Sequence, residues 1–240
     1  MLKNNFYKGV LFTCIASIFW GLPQPLFFRE LNHVNTIEVV LHRGFWSFIF
    51  LFLILIFISN INDFIKIFKS PKKIFVLSIT ACLIASNWGG FIYSVEQERV
   101  QDASMGYFIT PMISIILGYF FLKEKISIKG KLSISIVIIS ILYLLIIDFK
   151  AIPWVGLIVA VSWSVYNLVR KKINVDTDIG LLIESLFIFP FVIIAFYIIT
   201  KNNLNDFDIS NPSLMFILML AGPMTVIPLF LYVRGVELCG

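Results

Sequence analysis

The chain has 240 residues, of which 59% are hydrophobic and 14% charged, with 25 phenylalanines and a formal net charge of +5. A soluble domain must cover itself with polar groups and carries about 25% charge. An ordinary soluble globule, a disordered chain and a disulfide scaffold are therefore excluded, and the composition fits an all-α polytopic membrane protein.

Crossing the hydrocarbon core takes about 20 apolar residues in a helix. Eight stretches qualify, at roughly 9–28, 37–58, 74–94, 103–122, 131–148, 152–169, 179–199 and 213–233. The fifth and sixth are separated only by Asp148, Lys150 and Pro153, enough for a tight turn. The first follows Lys3 and Lys8 as a signal peptide would. It is long, however, contains Trp20, Pro23 and Pro25, and lacks a small-residue cleavage site, so it reads as an uncleaved span. Fourteen of the 19 basic residues fall on one side of this arrangement and four on the other, with Arg43 inside the second span. Excess Lys and Arg mark the cytoplasmic side, which puts the N-terminus in the cytoplasm. This asymmetry accounts for the positive charge better than nucleic-acid binding does. Cys14, Cys82 and Cys239 form no CxxC pair and read as reduced small hydrophobes.

The order of motifs repeats. Gly9-Val10-Leu11 with Ser17-Ile18-Phe19 matches Gly156-Leu157-Ile158 with Ser164-Val165-Tyr166. Asn35-Thr36 then matches Asp176-Thr177, placing Arg43 opposite Glu184, and Tyr93 with Glu98 matches Tyr232 with Glu237. The offsets drift through 147, 141 and 139. A unit of five helices is odd, so its second copy enters the membrane upside down, an arrangement found in secondary transporters with a midplane site. The expected organisation is a first five-helix repeat at 1–148 and an incomplete second repeat of three helices at 152–240. Eight transmembrane helices of an expected ten are then present, and the chain reads as C-terminally truncated.

Ordered motifs along the whole chain carry a family resemblance. They are Phe19-Trp20-Gly21-Leu22, then Glu38 with His42-Arg43 and Trp46-Ser47, then Asn87-Trp88 and Tyr93. Ala103-Ser104-Met105-Gly106-Tyr107-Phe108 with Pro111, Arg170-Lys171-Lys172 with Val175-Asp176, Glu184 with Pro190, and Ala221-Gly222-Pro223-Met224-Thr225 with Pro228 complete the set. On these the chain resembles the EamA family of the drug/metabolite transporter superfamily, within it the RarD type, named for chloramphenicol sensitivity. The resemblance implies ten helices in two inverted repeats and transport of a small molecule across the bacterial inner membrane. The absent ninth and tenth helices depart from that pattern.

Ionisable groups inside a span cost about 2.5–3.5 kcal/mol at the centre on insertion scales, and His42, Arg43 and Glu184 stand out. Arg43 lies about 8 Å from the outer face, reckoned from Glu38, and Glu184 a similar depth from the inner face. The two are then roughly 14 Å apart along the normal of a 30 Å core. A shared water-filled cavity suits this better than a tight salt bridge. Arg43 would orient an anionic substrate group, and Glu184 would take a coupling proton or a cationic group. The alternative is that Arg43 and His42 snorkel outward and Glu184 inward. Asn87 is an intramembrane amide that bonds either substrate or a neighbouring helix. Trp88, next to Gly89-Gly90, joins Trp20, Tyr93, Tyr107 and Tyr166 as lining for an amphipathic substrate, or as packing. Pro23, Pro25, Pro111, Pro190, Pro223 and Pro228 permit kinks, and the break at Ala221-Gly222-Pro223 brings in Thr225.

No HExxH, Walker A, GxSxG or zinc-type Cys/His pattern occurs, so no metal or cofactor is expected, and ATP cannot be the direct driver. The sequence thus points to a secondary transporter, not an enzyme. Its partners are a small-molecule substrate, the lipid bilayer and a proton or counter-ion, with no nucleic acid and with the oligomeric state open. A non-transporting subunit that needs a partner is the first alternative. An intramembrane lipid-acting enzyme is the second. For it only Glu96, Glu98 and Asp102 cluster, and they read more simply as a solvated outer loop.

Overall fold

The structure, a computed structural model, describes residues 2–57, 61–123, 125–144, 146, 153–202 and 204–239. In chain order the helices are α1 (Leu2–Gly21), α2 (Pro23–Arg29), α3 (Thr36–Phe57), α4 (Ile61–Phe68), α5 (Pro71–Glu96), α6 (Val100–Leu122), α7 (Ile128–Leu144), α8 (Trp154–Lys172), α9 (Thr177–Lys201) and α10 (Pro212–Cys239). No strand occurs among the described residues.

Local chemistry sets the boundaries. Pro23 has no N–H and disfavours helical geometry at the residue before it, and Leu22 sits at φ −130°, ψ −69°, between α1 and α2. The expected first span is therefore two helices. The Asn35 side chain accepts a hydrogen bond from the Ile37 N–H at 2.9 Å, and Asn211 accepts one from Leu214 at 3.2 Å. These fill donors that helix starts leave unpaired, and Pro212 follows Asn211 at a position where its missing N–H costs nothing. α6 stops at Lys123, which adopts the left-handed conformation at φ 57° and returns its N–H to the Gly118 carbonyl. The helices run on through Pro111, Pro190, Pro223 and Pro228.

Six stretches among the described residues are long and apolar enough to cross a membrane: Asn5–Arg29, Thr36–Phe57, Pro71–Phe91, Val100–Leu122, Thr177–Lys201 and Pro212–Cys239. The expected count of eight exceeds this by α7 and α8. The described part of α7 has 17 residues, and α8 carries Arg170, Lys171 and Lys172 in its last turn. Asp148 and Lys150, expected to form the turn between them, lie outside the described residues, as does Gly240. Large apolar side chains point outward along the helices, Phe108, Phe120 and Phe191 each at 70% exposure or more. Water would penalise that surface, whereas lipid tails solvate it. The chain is a multi-pass helical membrane protein.

Two units form the chain. One comprises Met1–Ala81 with Ile173–Gly240, the other Cys82–Lys172. In the first, α10 packs against both α1 and α3, and α3 also packs against α9. Leu77 of α5 joins Val175, Ile179 and Ile183 in a buried cluster, and Leu41, Val192 and Ile199 form another between α3 and α9. In the second, α6 packs along α8, with Met105, Ile109, Ile141 and Ala160 buried together.

Lipid supplies no hydrophobic drive between helices, so close contact depends on small residues. A Cβ on Gly106 would strike the backbone of Gly156, and one on Gly156 the carbonyl of Asp102. In the first unit a Cβ on Gly222 would strike the Trp46 backbone, and one on Gly9 would lie 2.7 Å from the Gly235 carbonyl oxygen. Gly89, by contrast, has open space beside it. Gly106→Leu should therefore destabilise by about 2–3 kcal/mol through overpacking. Gly89→Ala should be neutral or stabilise by up to about 1 kcal/mol through helix propensity. Thermal unfolding in detergent separates the two, and equal shifts would refute the close α6–α8 crossing.

Candidate functional site

Helix α3 presents its polar residues one turn apart. Glu38, His42 and Trp46 follow at intervals of four, which puts them on one face. Glu38 is fully buried. Its carboxylate accepts the Asp206 N–H, shared between its two oxygens at 2.8 and 3.0 Å, and the Phe207 N–H at 3.0 Å. The Trp46 indole donates to His42 Nδ1 at 3.1 Å. That leaves the proton of a neutral imidazole on Nε2, 3.7 Å from Glu38 Oε1 and too far for a hydrogen bond. The imidazole also lies against the rings of Phe196 and Phe207, at 4.9 and 4.7 Å between centroids. The connection from α9 to α10 is thus fastened to the start of α3. Further along this connection, the Ser210 hydroxyl donates to Asp208 at 2.5 Å and holds that exposed carboxyl below its ordinary value. This contribution is present above the ordinary value and is lost as pH falls through the lowered one.

Arg43 faces α10. Its Nε donates to the Thr225 hydroxyl at 3.1 Å, and that hydroxyl donates in turn to the Ala221 carbonyl at 2.8 Å. The guanidinium carbon also stands 4.9 Å from the centre of the Phe28 ring, a cation–π contact. One turn on, the Ser47 hydroxyl lies 3.4 Å from the Gly222 carbonyl. Glu184 is buried in α9 at 2% exposure and accepts a 2.6 Å hydrogen bond from Thr80 of α5. The first unit therefore holds His42, Arg43, Glu184 and Thr225. His42 and Glu184 are buried.

The second unit holds the rest. Asn87 is buried, and its amide donates to the Val159 carbonyl at 3.1 Å and lies 3.5 Å from the Ser162 hydroxyl. Tyr107 OH reaches Asn87 Oδ1 at 3.5 Å. Asn87 thus joins α5 to α8, as its helix-joining alternative requires, with Tyr107 at its free side. Trp88 is half-buried beside it. The aromatic residues make local ring pairs. Trp20 packs on Tyr232, Tyr93 on Trp154, and Tyr166 is fully buried against Trp163.

Three ionisable residues depart from the sequence reading. Glu38 served there only as a depth marker, yet it is as deeply buried as any side chain. Asp102, assigned to a solvated loop, is buried at the start of α6 and bridges Arg99 at 2.6 Å. Arg170, grouped with the surface lysines beside it, is 2% exposed. The i, i+4 spacing of Glu38 and His42 was the available signal for the first. Nothing in the triplet Arg170-Lys171-Lys172 marks one member as buried. Among the described residues no cluster of His, Cys, Asp and Glu is arranged to hold a metal.

A helical membrane protein with buried charges tied across its α3–α9–α10 helices is the class this geometry defines. Residues 7–146 match the EamA-like transporter family, and the chain belongs to that family. It is 34% identical over 225 residues to protein RarD of Salmonella typhi, an alignment covering 94% of this chain and 76% of that protein. It is 31% identical over 233 residues to the uncharacterized transporter YojE of Bacillus subtilis, covering 96% and 77%. Similarity extends to the chloramphenicol-sensitive protein RarD of Pseudomonas aeruginosa, 25% identical over 79% of this chain and 64% of that protein.

Replacing Glu38 by Gln puts an NH₂ group where a carboxylate oxygen accepts, leaving a buried N–H of Asp206 or Phe207 unmatched at a cost of about 1–3 kcal/mol. The amides of Asp206 and Phe207 should then exchange hydrogen at least about tenfold faster. Unchanged protection would show that Glu38 does not hold this connection.

Proposed function

We propose that this protein is a secondary transporter of a small metabolite or drug-like solute, working by alternating access in the bacterial inner (plasma) membrane with its N-terminus in the cytoplasm. The observation that carries the reading is a half-buried arginine and a buried glutamate on adjacent helices. Arg43 of α3 hydrogen-bonds Thr225 of α10, and Glu184 of α9 is held by Thr80. Intramembrane charges are kept where they have work to do. Arg43 and Thr225 orient an anionic group of the substrate. Glu184 carries the coupling proton or meets a cationic group, and His42 braces Arg43's helix. Within the second unit, Asn87, Trp88 and Tyr107 offer an amide, a ring and a hydroxyl for solute binding.

Two inverted five-helix repeats, one at 1–148 and the other beginning at 152, suit this mechanism. Contact between helices that carry repeat counterparts supports that organisation. Helices α3 and α9, which carry the counterparts Arg43 and Glu184, pack against each other as elements across a pseudo-two-fold axis do.

Proteoliposomes containing the protein, screened with labelled solutes under an imposed pH gradient, test this. Glu184→Gln should abolish the pH dependence of uptake while leaving binding within a few-fold. Arg43→Gln should weaken uptake of anionic solutes by about tenfold or more, the worth of one hydrogen bond to a charged group. PH dependence that survives Glu184→Gln would remove Glu184 from the coupling role.

A further inference from the structure

Helix α4 does not cross the membrane; it has eight residues and lies between the long helices α3 and α5. At roughly 100° per residue it shows three faces. Phe64 and Ile67 pack into the buried cluster of Leu77, Val175, Ile179 and Ile183. Ile61, Ile65 and Phe68 form an adjoining apolar ridge and are 42–49% exposed. Asn62, Asp63 and Lys66 make the third face. A short helix with this division, joined at both ends to lipid-embedded helices, seats its exposed ridge in the boundary between headgroups and acyl chains.

Charge follows the same plan. Lys66, Lys69, Lys72 and Lys73 occur within eight positions, and the first three are exposed. Lys66 is shared with Asp63 at 2.7 Å, and Lys73 donates to the Asn174 carbonyl at 2.8 Å. A cavity of about 240 Å³ opens beside them, lined by Asp63, Lys66, Ser70, Lys73, Asn174 and Asp176 among others. The cavity lining matches Lys66 and Lys73 with Asp63 and Asp176, and Lys69 and Lys72 add positive charge to the segment that carries it. Phe75, 67% exposed, continues the apolar ridge along α5.

We infer that α4 and the lysines after it form a binding surface for acidic phospholipid, with the phosphate held by Lys66, Lys69 and Lys72 and the acyl chains against Ile61, Ile65, Phe68 and Phe75. The occupant is a bilayer lipid because the ridge next to the lysines is apolar; a soluble phosphate would leave it facing water. The inference rests on membrane embedding alone and stands whether or not the protein transports.

Native mass spectrometry of the full chain, released from nanodiscs of mixed phosphatidylglycerol and phosphatidylcholine, counts the lipids retained. Wild type should keep phosphatidylglycerol in preference to phosphatidylcholine, with retention falling as salt rises. Since a lysine near a charged surface contributes roughly fivefold in affinity, and Lys66 is partly neutralised, Lys66→Gln/Lys69→Gln/Lys72→Gln should lower that retention by about tenfold or more. The triple Arg variant, which keeps charge, should restore it. Ile65→Ser/Phe68→Ser should reduce retention of phosphatidylglycerol while leaving the weak binding of inorganic phosphate unchanged. Equal retention of the two lipids, equal retention by wild type and the triple Gln variant, or displacement of phosphatidylglycerol by millimolar inorganic phosphate would each overturn the assignment. Loss of transport with lipid retention intact would bear on the transport reading and leave this one standing.

Discussion

A charged group inside a bilayer survives only where protein donors and acceptors replace the water it has lost. That constraint organises this molecule. Glu38 replaces its hydration with the backbone N–H groups of Asp206 and Phe207, Glu184 with the Thr80 hydroxyl, and Arg43 with the Thr225 hydroxyl and the face of Phe28. Each solution takes its partner from a different segment, so each also acts as a tether. Glu38 ties α3 to the α9–α10 connection, Glu184 ties α9 to α5, and Arg43 ties α3 to α10. The apolar surface, facing lipid on most sides, distinguishes poorly between alternative helix arrangements, whereas these few polar pairs fix particular neighbours.

Much of the fold is legible in the sequence because one physical requirement, a run of apolar residues as long as the membrane is thick, writes itself directly into composition. The cores of α3, α5, α6, α9 and α10 fall within the stretches expected for them, and Pro23 marks the place where the first span divides. Helix α4 escaped notice because eight residues are too few for a span and its apolar positions blend into the flanking runs. The described part of α7 is short, at 17 residues, and α8 is less apolar and ends in three cations. Polar partners were harder to see. Glu38 meets amides 168 and 169 positions away, contacts that no local pattern encodes. Arg170 looks in sequence like Lys171 and Lys172, and only packing distinguishes it. Among the candidate site residues, the burial of His42 and Glu184 follows from their place in apolar runs. Their particular partners do not, because these depend on which helices become neighbours.

The α3–α10 contact limits how such a protein can move. Arg43 and Ser47 stand one turn apart on α3, and across from them Thr225 and Gly222 stand three apart on α10. Sliding α10 by one turn, about 5.4 Å, would replace Thr225 opposite Arg43 with Ala221 or Leu229, neither of which has a hydroxyl. The same slide would bring Leu218 or Val226 to the position of Gly222, where even a single Cβ strikes the Trp46 backbone. Both the charge and the close approach therefore oppose sliding, and they do so at the same spot. Any rearrangement that keeps both contacts carries α3 and α10 as one body. The contact from Thr80 to Glu184 lies outside this pair and joins α5 to α9. If Glu184 takes a proton, its oxygen no longer holds the same charge toward Thr80, and the contact joining α5 to α9 weakens.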